Sequence, residues 1–491
     1  MEAASKVESI MSSGAAIACA LVSVLLLAAP AFCQSPATSG MEEFLAQESK
    51  MSQLTRAGYG LTKEQAAALE EALAKAPDNL DARAKLLGYY FARASQSLGT
   101  EARIQARRKH ILWLVGNRPE SALLRTSEAT LTPRGNTLSD PEGYEQTKQA
   151  WLELSAKKDV SAAMLGNAGR FFYLPDKGRA VEMYAHACKL DPANPLWVMM
   201  QGSVMAFAVV GITDMNQNGF PGAADPAEAG SVFAKSARRE LETTKDTALM
   251  MAAAAELSGR GVMAQAMAHA KSRAADAVDA LTLAESLLKR AQDLDPGKSA
   301  ASLALARIYE LRGMSAASDA EKKALAQARY EQLVKGTAGL ATDDPANAQQ
   351  TLILARASMD AGDLDRAQTL ANSLLAIEPK LGADPKLKWS VDGIHHHGHL
   401  ILGRVALRRG DMDAAKANLL EAGRVGGGGT LSSFGPNMTL AKELLEKGEK
   451  EVVLQYLELC RKFWTFQQRM DPWIESIRKG EMPNFGANLT Y

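Results

Sequence analysis

The segment Asp214-Met215-Asn216-Gln217-Asn218-Gly219-Phe220, followed by Asp225, has the spacing of a calcium loop. Side-chain oxygens stand at positions 1, 3 and 5, glycine at 6, the Phe220 carbonyl at 7 and a carboxylate at 12. Oxygens on alternate residues can converge on one hard cation where a glycine lets the chain turn sharply. Two features depart from the pattern. Asp225 is shorter than the usual bidentate Glu, and Pro226 biases it away from helical geometry. The same stretch also reads as a helix start, with Asp225 as N-cap, Pro226 in the first turn and Glu228 reciprocating. If Asp214, Asn216, Asn218, Phe220 and Asp225 do hold calcium, its role is to pin an insertion between two helices. No other cofactor is expected.

A second chemical cluster is His395-His396-His397-Gly398-His399, which holds four of the chain's 7 histidines. His395 and His399 share one helical face, and His396 and His399 share another. Either pair could bind a transition metal if a third ligand came from elsewhere. The competing reading makes them packing and surface residues, with Asp392 capping their helix. The run Gly426–Gly429 lacks the Lys-Ser/Thr tail of a phosphate loop and reads as a flexible connector, followed by a tight turn over residues 433–437. The basic run 103–110 (RIQARRKH) reads as a solvated helix face rather than a nucleic-acid patch. Asn437 and Asn488 head glycosylation sequons that matter only in a eukaryotic secretory host. A nucleophile elbow, a Cys-x-x-Cys pair, HExxH and a dinucleotide fingerprint are all missing from the sequence.

The elements that would position these groups are helices. Ala180, Tyr184, Ala187 and Pro192 lie 4, 3 and 5 residues apart, and the same steps recur in Ala284, Leu288, Ala291 and Pro296 and in Ala367, Ala371, Leu374 and Pro379. Small residues let helix backbones approach, larger ones fill the groove between them, and proline ends the helix. Copies of the unit fall at 161–194, 348–381 and 396–429, with a first helix at 299–313 and a weaker copy at 434–467. Near the front, Leu69, Ala72 and Pro77 close one second helix, and Leu87, Gly88 and Phe91 mark the next first helix. The stretches 95–160 and 206–280 leave this register.

The pattern resembles the tetratricopeptide repeat, whose period is about 34 residues. The early Trp of that family is missing, and His399 takes its place in one copy. The resemblance implies an all-α fold, a right-handed superhelical array of helix–turn–helix repeats. It also implies a scaffold that grips proteins or peptides along stacked first helices rather than an enzyme. The array is expected over 48–468, with an insertion at 211–226, a flexible lead-in at 34–47 and a C-terminal cap and tail at 469–491. Phe463, Trp464, Phe466 and Trp473 belong to that cap. Competing readings are a metal-dependent enzyme and a calcium-stabilised structural protein of the cell envelope.

Residues 15–31 form an apolar run rich in small residues and broken by Pro30, the layout of a secretory signal. Cleavage fits after Ala31 or Cys33, although Lys6 is opposed by Glu2 and Glu8. An uncleaved anchor is the alternative, and the run is barely long enough for one. Export to a periplasmic or extracellular space is therefore expected, with no membrane span in the mature chain. The chain carries 56 basic and 56 acidic residues, and loss of residues 1–33 leaves 55 against 54. Such balance gives no global pull towards nucleic acid. Cys188 and Cys460 are expected to be inert thiols in small buried positions.

Overall fold

A computed structural model describes residues 38–92, 98–134, 137–216, 219–268, 278–429 and 431–489. The expected signal segment, Asn218 of the calcium-type loop and Thr490 of the second sequon lie outside them. The described chain is helical throughout, with no strand and one isolated bridge between Met215 and Pro221. No described helix is long and apolar enough to cross a membrane. The chain divides into two compact units, Pro30–Leu294 and one holding Asp295–Tyr491.

In the second unit the repeats are helix hairpins. Ser299–Met314 packs on Asp319–Gly336, Ala348–Ala361 on Leu364–Ala376, and Val391–Arg408 on Met412–Ala422. Thr439–Leu445 then packs on Lys450–Cys460. The turns between paired helices repeat a Gly-acid step. Gly362, Gly410 and Gly448 take φ of +87°, +83° and +87°, a conformation glycine adopts without strain. The next N–H closes each turn, from Asp363 to the Ser358 carbonyl at 2.9 Å, from Asp411 to Ala406 at 2.9 Å and from Glu449 to Leu444 at 3.0 Å. The Asp363 and Asp411 side chains then cap the following helix, accepting from Arg366 N at 3.1 Å and Ala414 N at 3.0 Å. Two residues thus end one helix and start its partner.

The small residues sit where the spacing puts them. Ala367, Ala371, Leu374, Ala415, Leu419 and Ala422 are fully buried. A Cβ on Gly403 would stand 2.4 Å from Leu440, so the first helices of adjacent repeats touch there. The unit ends in a sealed core of Tyr456, Cys460, Trp464, Trp473 and Phe485. The tail forms a short turn at Gly486–Leu489. The carbonyl of Asn488 accepts from Met438 N at 2.7 Å, which ties the tail to the last helix pair.

The first unit is less regular. Its hairpin Ala162–Phe172 and Lys177–Leu190 buries Ala180, Tyr184 and Ala187, with the Tyr184 ring against Gly169. The next helix, Pro195–Val210, packs on Thr247–Glu256, and residues 211–246 intervene in sequence, with their helix Val232–Thr243 packed on Pro195–Val210. This insertion breaks the register over 206–280: the partner helix is present but displaced in sequence. The flexible lead-in expected over 34–47 is instead helical from Thr38, the start of a helix that runs to Gly58. That helix crosses Leu80–Phe91 closely. A Cβ on Gly58 would lie 1.9 Å from the Lys85 carbonyl oxygen, and one on Gly88 would lie 1.8 Å from that of Thr55.

Candidate functional site

The loop after Val210 closes on itself through protein groups. Asn216 N donates to the Phe220 carbonyl at 2.9 Å, and Phe220 N returns a bond to Asn216 Oδ1 at 3.1 Å. Gly219 has φ +76°, and its carbonyl accepts from Arg260 Nε at 3.2 Å. Asp214 lies over Gly222, where a Cβ would meet its Oδ1 at 2.2 Å. Asp225 caps the Pro226–Ala229 turn, accepting from Ala227 N at 2.9 Å, which is the competing reading of its role. Glu228 does not reciprocate and pairs with Lys177 at 2.7 Å.

The histidines divide by role. His396 is fully buried, with Nδ1 2.8 Å from the Ala422 carbonyl and Nε2 accepting from Asn437 N at 3.1 Å. That arrangement fixes the neutral Nδ1–H tautomer, and burial pulls its pKa down to about 4. His396 therefore joins three chain segments and is not available as a metal ligand. His397 is pushed well below the ordinary range by burial, then by His396 and Arg356. His395 faces Glu378 at 3.1 Å and His399 faces Asn418 Oδ1 at 2.9 Å. Among the described residues no group of three or more His, Cys, Asp or Glu is placed to hold an ion. Asp392 lies inside its helix and does not cap it; its carboxylate accepts from Gly428 N at 2.7 Å.

The glycine run, expected to be a loose connector, is tightly fitted. A Cβ on Gly427 would meet Phe463 at 2.3 Å, and one on Gly429 would meet the Trp389 carbonyl at 3.0 Å. Both sequon asparagines are buried, and Asn488 Nδ2 donates to the carbonyls of Phe434 and Pro436 at 3.2 and 2.9 Å. Neither amide faces solvent. Cys188 and Cys460 are both free thiols, and burial raises each pKa.

The basic run is not a solvated face. Arg103, Arg107 and His110, at i, i+4 and i+7, are all buried. Arg103 donates to the carbonyls of Tyr90, Phe91 and Ala92, and Arg107 to those of Glu128 and Thr130. Burial pulls Arg107 down to about 10. His110 lies 2.8 Å from Glu70, and that bond, with smaller help from His110's charge, Tyr90 and Lys109, overcomes burial to hold Glu70 at about 2. Arg108 clamps Asp140 through two nitrogens. Arg107 and Arg108 tie down the irregular chain between the helices Thr100–Asn117 and Pro141–Ser155, while Arg103 holds the end of the helix Leu80–Phe91.

One feature of the second unit escaped sequence reading. Each first helix carries a Leu-small pair followed by a cation: Leu305-Ala306-Arg307, Leu354-Ala355-Arg356, Leu402-Gly403-Arg404 and Leu440-Ala441-Lys442. The repeat register puts these cations on one face. Arg404 pairs with Asp360 at 3.1 Å and Glu443 at 3.0 Å, and Arg408 reaches Glu443 at 2.9 Å. Burial pulls Arg404 down, but Asp360 and Glu443 carry it above its ordinary value. Arg329 approaches Glu310 at 3.1 Å, and Arg307 also pairs with Glu310. Burial raises the Glu310 carboxyl, yet Arg329 and Arg307 bring it below the usual range. Lys442 lines an open notch of about 270 Å³ with Arg408, Glu443, Glu446 and Lys447. The result is a strip of alternating charge along consecutive first helices. Such a strip can exchange internal ion pairs for a partner's charged groups. The signal was present in the residue after each Leu-small pair, which packing arguments pass over.

No family model and no curated protein matches the chain. Among solved structures it is similar to a human IFIT1 dimer with PPP-AAAA, at 13% identity and a TM-score of 0.31, over 85% of this chain and 86% of that one. That likeness is too loose to bear on function, and the helical-repeat fold stands on the hairpins themselves.

Proposed function

We propose that this chain is a non-catalytic helical-repeat scaffold that binds a protein or peptide along the first helices of its second unit. The observation that carries this reading is the charged strip of Arg307, Arg356, Arg404 and Lys442, which recurs once per repeat at the same position. Stacked helices present such a row at regular intervals, suited to an extended or helical segment rather than a small substrate. The apolar run at residues 15–31 supports an exported scaffold of a periplasmic or extracellular space.

The test is affinity capture of the full chain from its native envelope after mild cross-linking, with mass spectrometry of what returns. The scaffold reading expects one or a few partners near stoichiometry, released when Arg356 and Arg404 are both changed to Glu. A bait that returns without a partner contradicts it. So does a partner held equally by wild type and the double variant.

A further inference from the structure

Within the charged strip one arginine has no counterpart. Arg356 makes no hydrogen bond or ion pair among the described residues, although it stands between Arg329 and Arg404 and within electrostatic reach of Glu310, Asp360 and His397. On Arg307, which also acts on Glu310, Nε and one Nη are buried and unpartnered. Both side chains are only partly exposed. Five guanidinium groups, Arg307, Arg329, Arg356, Arg404 and Arg408, share the three carboxylates Glu310, Asp360 and Glu443, so these cations outnumber their acceptors. A half-buried cation without an acceptor is destabilising, and folds keep such groups where a ligand completes them.

We propose that Arg356, which shares the carboxylate of Glu310 with Arg307, is a receptor for an oxyanion carried by the bound partner, a carboxylate or a phosphate group. A guanidinium presents paired N–H donors at the spacing of two oxygens, so a partly exposed arginine with no internal partner can take one carboxylate or phosphate group. Asp360 and Glu443 are already engaged by Arg404, so they do not compete for Arg356. This inference rests on the scaffold reading for the identity of the carrier, but the receptor itself can be tested without it.

The experiment follows thermal unfolding of the full chain at fixed ionic strength, titrated with inorganic phosphate and, separately, with glutarate, against chloride. Wild type is compared with Arg356→Met and with Arg409→Met, whose arginine pairs with exposed Asp365 outside the proposed receptor. The receptor predicts a saturable rise in Tm with at least one probe, and the stronger probe identifies the chemistry. Half-saturation should weaken about tenfold or more in Arg356→Met and hold in Arg409→Met, as expected when one charged hydrogen-bonding group is lost. In chloride alone Arg356→Met should melt no lower than wild type, because no internal bond is removed. The proposal is overturned by a wild type without saturable response, by equal response in Arg356→Met, or by Arg356→Met melting well below wild type in chloride. Oxyanion binding without any captured partner contradicts the scaffold reading and leaves the receptor standing. A captured partner held equally by Arg356→Met does the reverse.

Discussion

Arginines serve the two units differently. In the first unit Arg108 and Arg260 pair with carboxylates, but Arg103, Arg107 and Arg290 donate to backbone carbonyls, the last to Leu241 and Thr244. In the second, Arg307, Arg329, Arg404 and Arg408 face carboxylates, and Arg356 makes no hydrogen bond or ion pair among the described residues. The position after the Leu-small pair sharpens the contrast. In the first unit it is Asn167, whose amide donates to the carbonyls of Pro119 and Ser121 at 2.8 and 3.1 Å. In the second it is a cation in four successive repeats. A cation bonded to carbonyls is a strut, because those carbonyls have no alternative partner once buried. A cation in a shared ion-pair strip can change partners at little cost to the fold.

The largest effect should come from removing a strut. Arg107→Ala is expected to cost roughly 3–5 kcal/mol in urea unfolding, since it strands buried carbonyls and leaves a cavity. A loss under about 1 kcal/mol would show that the first unit's arginines are not struts. His396→Leu should cost about 2–3 kcal/mol by the same assay, because it leaves Asn437 N and the Ala422 carbonyl unpaired.

His396 also sets a pH dependence. Its folded pKa of about 4 lies below the unfolded value near 6.5, so the unfolded chain takes up the proton first. Stability should therefore be full above that unfolded value and fall by up to about 3 kcal/mol as pH drops towards 4. His397 adds in the same direction. Unfolding curves between pH 7 and 4 should show a shallower slope in His396→Leu, and an unchanged slope would remove His396 from the account.

Smaller effects test the second unit. Asp363→Ala removes a helix cap and should cost about 1 kcal/mol by chemical denaturation. Arg356→Met should leave stability within about 0.5 kcal/mol while weakening partner binding, and the reverse pattern would make Arg356 a strut like Arg107.

Much of this could be read from the sequence. The Ala-Tyr-Ala and Ala-Ala-Leu steps gave buried second helices, because close helix packing demands particular residues. The basic run misled because charge was taken to mean solvent, while its spacing of four and three is that of a buried face and the acceptors of Arg107 lie in irregular chain that leaves no periodic mark. The glycine run misled in the same way: Gly427 and Gly429 are required by Phe463 and Trp389, which are far off in sequence. Asp225 carried two readings at once, and only the Ala227 bond shows the cap in use. The cation after each Leu-small pair was visible but mute, since its meaning lies in neighbours on other repeats.

The most direct test places a photo-cross-linking residue at Asp360, on the charged first-helix face, and at Asp365, on the adjacent second helix and almost fully exposed. Irradiation in the native envelope should join a partner through position 360 and leave position 365 unreacted. Equal adducts at both positions, or an adduct from position 365 alone, would contradict binding along the first helices.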